Sequence, residues 1–102
     1  MAIETLFNQA VVLTSTADLV VQVGAKHSYA NTSGAKPWKL SILFDGVLVN
    51  FATGGGAPTD APSVFVSMTG VSAGAHTVTV TWYGHSSMSI SGINMFVLGK
   101  YK

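Results

Sequence analysis

Acid–base, nucleophilic or metal chemistry in this 102-residue chain would fall to three histidines, four carboxylates and a scatter of serines. His27, His76 and His85 lie far apart, and none has a second histidine or a carboxylate at the short spacing that lets two side chains share a metal ion. No metal site or cofactor is expected. A hydrolytic triad needs serine, histidine and carboxylate in reach of one another, yet no serine sits in a G-x-S-x-G elbow; Ser89, Ser91 and Gly92 match that composition but not the pattern. Glycosidase chemistry needs two paired carboxylates, and the chain offers only Glu4, Asp18, Asp45 and Asp60. Asp45 belongs to a turn and Asp60 to a loop, so no enzymatic activity is expected.

The aromatics suggest recognition instead. Trp38, Trp82, Tyr83, Phe51 and Tyr29 are the side chains that would stack on sugar rings. Alternation places Trp38 and Trp82 on the inward face of their strands and turns Tyr83 outward. A glycan- or receptor-binding reading therefore rests on Tyr83, with Trp38 and Asp60 of the 54–62 loop as the further places to look.

These groups must be positioned by strands, because apolar residues recur with period two from end to end. In His76-Thr77-Val78-Thr79-Val80-Thr81-Trp82-Tyr83, the residues Val78, Val80 and Trp82 share one face and Thr77, Thr79 and Thr81 the other. Trp38 to Phe44 alternates likewise, with Trp38, Leu40, Ile42 and Phe44 inward. Asp45-Gly46 then reads as a type I′ turn, whose two central residues need positive φ, and Val47 to Phe51 returns. Further strands are expected over Leu6 to Leu13, Leu19 to Val23, His27 to Ala30, Ser63 to Thr69 and Ile93 to Tyr101. About eight strands in one domain spanning 1–102 predict an antiparallel β-sandwich, jelly-roll-like in form. His76 opens its strand just after Gly74, where its ring can bond a neighbouring turn. Gly54 to Pro62, with three glycines and two prolines, is expected to join no ladder and to carry the chain between sheets, or else to serve as a docking loop.

Charge is the unusual quantity. Asp, Glu, Lys and Arg make up 9% of the chain while hydrophobic residues make up 48%; a soluble domain ordinarily carries about 25% charged residues. A surface covered by Ser, Thr, Gly, Ala and apolar side chains repels its own copies poorly. Self-association or a permanent partner is expected, at the Thr77, Thr79, Thr81 ladder together with Leu43, Leu48 and Phe65, which fall on outward positions. The five basic residues are all lysine and the net charge is +1, which argues against nucleic acid as a partner. Leu19-Val20-Val21 and Met95-Phe96-Val97-Leu98 are far shorter than the roughly 18 apolar residues of a membrane helix, so no membrane partner is expected. Met1-Ala2-Ile3-Glu4 lacks the basic start of a signal peptide, so synthesis in a cytosol is expected. The absence of cysteine excludes disulfides and thiolate sites.

The run Val71-Ser72-Ala73-Gly74-Ala75-His76-Thr77-Val78-Thr79-Val80-Thr81-Trp82, a small-Gly-x-His turn leading into an alternating Val/Thr strand, resembles jelly-roll domains of tailed-phage virion proteins and of the C1q and tumour-necrosis-factor-like group. Leu40 to Gly46 and Met95 to Gly99 are similar to neighbouring strands of that group. The resemblance implies a homotrimer of sandwiches in a virion, serving as a capsid decoration or cement protein on a major capsid protein, or as a fibre tip that binds a receptor or glycan. The chain is shorter than C1q-like domains usually are, which leaves room for trimmed strands or a different topology.

Overall fold

The computed structural model describes residues 3–29, 37–55, 61–84 and 88–102, apart from the side chains of 27–29 and 88–89. These residues form seven strands: β1 (Ile3–Leu13), β2 (Ala17–Tyr29), β3 (Trp38–Phe44), β4 (Val47–Gly54), β5 (Ser63–Val71), β6 (Gly74–Gly84) and β7 (Met88–Tyr101). They build a four-stranded sheet in the order β1-β6-β3-β4 and a three-stranded sheet in the order β5-β2-β7. Every pairing is antiparallel. The expected all-β sandwich is what the chain forms.

The pairings nest around one hairpin. β3 pairs with β4, outside them β2 with β5, and outside those β1 with β6. This is the pairing of a long hairpin rolled into two sheets, the plan of a jelly roll, here with seven strands where a full roll has eight. In the eight-stranded plan the next strand outward would lie beside β7, and in this sheet β7 is the end strand.

The strand count differs from the expected eight because the strands expected at Leu19 to Val23 and His27 to Ala30 are not separate. Leu19 to Val23 and the described residues His27 to Tyr29 both belong to β2, 13 residues long, which continues through an irregularity between Gly24 and Lys26 opposite β7, while Ala30 lies outside the described residues. Gly92, opposite that irregularity, has φ +57°, a left-handed backbone that glycine adopts without strain. The stretch read as Gly54 to Pro62 also shortens at both ends. Gly54 pairs with Trp38 at the end of β4, and the Pro62 carbonyl accepts a hydrogen bond from Ala25 N–H at 2.9 Å. As expected, the connection joins the two sheets, since β4 lies in one and β5 in the other.

The core fills the space between the sheets with alternate residues of each strand. Val21 and Val23 of β2 and Val64 of β5 meet Leu40 and Ile42 of β3 and Val78 and Val80 of β6. Trp38 and Trp82 close one end of this layer, 6% and 5% exposed, their rings stacked 17° from parallel with centroids 5.7 Å apart. Glycine makes that stack possible. A Cβ on Gly54 would lie 2.5 Å from the Trp38 indole and one on Gly84 2.9 Å from the Trp82 indole, so the rings occupy space that any side chain would take. At the other end Leu13, Ala17 and Leu19 form a second buried group, joined to the first through Phe44, Met68 and Val97.

The hairpin at Asp45-Gly46 is the two-residue turn expected, with φ of 50° and 80°. On the side where β4 and β5 end their sheets, the Asn50 side-chain amide donates to the Phe65 carbonyl at 2.6 Å and ties the two together. β1 and β7 end their sheets on the opposite side. There Tyr101 at the end of β7 accepts a hydrogen bond from Thr14 N–H, 3.4 Å, just beyond β1.

Candidate functional site

Two of the carboxylates, Asp45 and Asp18, are taken up in structural bonds. Asp45 Oδ1 accepts from Thr77 N–H at 2.8 Å while its Oδ2 lies 2.7 Å from His76 Nδ1, and the other ring nitrogen, Nε2, lies 2.8 Å from the Ser72 carbonyl. Phe44 stacks on the ring at 5.1 Å. A carboxylate and a carbonyl can only accept, so both imidazole nitrogens must donate and the doubly protonated ring fits the site. The bond to Asp45, aided by that to Ser72, accordingly raises the His76 pKa above its ordinary value, and the bonds from His76 and Thr77 lower that of Asp45. Serine, histidine and aspartate do meet here, but Ser72 contributes its backbone and His76 keeps no free lone pair with which to take a proton. The expected bond from His76 to a neighbouring turn is present.

Asp18 is similarly occupied. Its Oδ1 accepts from Gly70 N–H at 2.9 Å and lies 3.4 Å from Lys102 Nζ, and the Gly70 bond is the main cause of its lowered pKa. Among the described residues no group of three or more His, Cys, Asp or Glu is placed to hold a metal ion. His85 and Asp60 lie outside the described residues, as does the 56–60 part of the loop read as a possible docking element.

What the sandwich presents outward is largely uncharged. On the four-stranded sheet the register aligns Thr5, Thr81, Ser41 and Phe51 in one row, and Asn8, Thr79, Leu43 and Leu48 in the next. Ile3, Tyr83, Lys39 and Thr53 form a third row. The threonine ladder therefore does share a face with Leu43 and Leu48, with Thr77 nearest the Asp45 turn. Lys39 is the charged residue of these rows, and its Nζ sits 4.3 Å above the Phe51 ring.

Phe65 does not belong to this face. It lies on β5, opposite Gln22 of β2, and so points out from the three-stranded sheet on the far side of the sandwich. There the register sets Phe65, Gln22 and Phe96 in one row and Ser67, Val20 and Leu98 in the next. Phe65 is 60% exposed, Phe96 45% and Leu98 62%. Phe96, Leu98 and Val20 were not singled out from the sequence. The signal was present, since Leu19-Val20-Val21 and Met95-Phe96-Val97-Leu98 are apolar on both faces, which a strand with one solvated face does not need.

Of the ligand-binding set, the two described members, Trp38 and Tyr83, stand on opposite faces of their sheet. Trp38 is buried against Trp82 and offers no ring face to a sugar, a correction that follows from its place opposite two glycines, Gly54 and Gly84. Tyr83 does point outward, 37% exposed, in the row with Ile3 and Lys39.

Compared with known proteins, the chain matches no family model, no curated sequence and no solved structure.

Proposed function

We propose that this chain is a non-enzymatic structural protein of a virion, a decoration or cement subunit that associates with its own copies and docks on a larger protein shell. The observation that carries the reading is the outer face of the three-stranded sheet. Phe65, Phe96 and Leu98 stand exposed there around Val20 and Gln22, in a chain with nine charged residues in all. Such exposed apolar side chains are stabilised by removal from water at roughly 25 cal/mol per Å² of apolar surface covered. The Thr/Leu face of the opposite sheet, with Lys39 its one charge in the three rows described, supplies a second contact surface, which a subunit needs if it is to touch both a neighbour and a shell. The resemblance of the Val71 to Trp82 run to phage jelly rolls supplies the virion setting.

The test is the mass of the purified chain in solution across the micromolar range, together with the genes that neighbour its own. A concentration-dependent oligomer and an adjacent major capsid gene are the expected results. A chain that stays monomeric throughout that range would overturn the reading.

A further inference from the structure

We infer that the free edge of β7 is the site at which a second copy adds, by antiparallel β7-to-β7 pairing about a two-fold axis at Val97. The inference rests on the self-association reading above and assigns it a surface, a partner and a register.

Four observations converge on this edge. First, the nested pairing of the fold puts a strand beside β7 in a full eight-stranded roll, and among the described residues none pairs there. Second, β7 is the longest strand, 14 residues, and its pairing with β2 runs without irregularity from Asn94 to Tyr101. At about 3.3 Å per residue the whole strand spans roughly 46 Å, close to the full 50 Å length of the molecule. Third, from Asn94 to Gly99 it carries no charge and no proline, the devices by which an edge strand ordinarily refuses a partner. The edge of β1 on the same side has such a device, a bulge between Thr5 and Phe7. Fourth, the apolar side chains Met95 and Val97 remain only half-buried at this open side.

The register follows from the side chains. Antiparallel pairing about Val97 sets Phe96 opposite Leu98 of the second copy, twice by symmetry, and Asn94 opposite Lys100. Apolar meets apolar, and no like charges face each other. A dyad at Leu98 would instead oppose Phe96 with Lys100, and one at Phe96 would oppose Leu98 with Asn94. Pairing about Val97 makes one six-stranded sheet in which Phe96 and Leu98 of both copies form one apolar cluster at its centre. The pairing overlaps Ile93 to Tyr101 of the two strands, about 30 Å at roughly 3.3 Å per residue. Across the 19 to 22 Å width of that side this is on the order of 600 Å² per copy, at the lower end of the roughly 600 to 1,000 Å² that each partner contributes to a standard stable interface.

Hydrogen exchange of the full chain, read residue by residue at concentrations below and above the association midpoint, tests this directly. Edge pairing slows exchange of alternate amides between Asn94 and Lys100, those pointing away from β2, in step with dimer formation. Two exposed-site variants give the second arm. Leu98→Lys is expected to return the dimer to monomer, whereas Phe65→Lys, on the same sheet face but at its far edge, leaves it dimeric. Association without protection of β7, or dissociation by both variants alike, would overturn edge pairing while leaving self-association standing. A protein monomeric under all conditions would overturn both.

Discussion

The carboxylate of Asp45 reaches a residue 31 positions along the chain, with Oδ2 lying 2.7 Å from His76 Nδ1. One end of the sandwich is thereby locked by a carboxylate and an imidazolium, in a chain that has few of either.

The lock gives stability a pH window. His76 has a raised pKa in the folded state, so its contribution is complete below its ordinary value of 6.5 and is lost as pH rises through the higher folded value. Asp45 has a lowered one, so its contribution is complete above the ordinary 3.8 and is lost as pH falls through the lower folded value. Thermal melting should show its highest midpoint between about pH 4 and 6.5, falling on both sides. His76→Asn should flatten the alkaline limb. An unchanged alkaline limb in that variant would show that the bond contributes nothing to stability.

Gly46 and Gly54 should fail differently when substituted. Nothing lies within 4 Å of a Cβ on Gly46, whose φ is +80°, so Gly46→Ala costs only the left-handed backbone, about 1–2 kcal/mol, and Gly46→Asn recovers most of it. A Cβ on Gly54 would sit 2.5 Å from the Trp38 ring. Gly54→Ala should cost about 1–3 kcal/mol by overpacking, and Gly54→Asn should be no better. Gly55→Ala, with open space around it, is the control. Urea unfolding followed by tryptophan fluorescence measures all five.

Asn50→Ala should loosen the seam between the sheets. The amide-to-carbonyl bond to Phe65 is short and partly solvated, so the loss is about 1 kcal/mol. Faster hydrogen exchange at β4 and β5, with β2 and β6 unaffected, would locate the effect at the seam.

Association should respond to salt as an apolar contact does. Sodium chloride should leave the oligomer unchanged and ammonium sulfate should strengthen it, because excluded kosmotropic salts favour burial of apolar surface. Sedimentation equilibrium across both salts reads this. Dissociation in moderate sodium chloride would point to charge pairs and away from the apolar faces.

Inward and outward residues were legible in the sequence because alternation is local: each strand shows its own period of two. The Val78, Val80, Trp82 face and the Leu40, Ile42 face lie in the core as read, and the Asp45-Gly46 turn is where its chemistry requires. That the threonine ladder shares its face with Leu43 and Leu48 was legible for the same reason. Sheet membership was not legible. Backbone hydrogen bonds are alike for all strands, so no residue of β5 announces that it joins β2 and turns Phe65 away from the ladder. For the same reason the sequence could suggest a sandwich while only the assembled pairings show that, among the described residues, β7 ends its sheet.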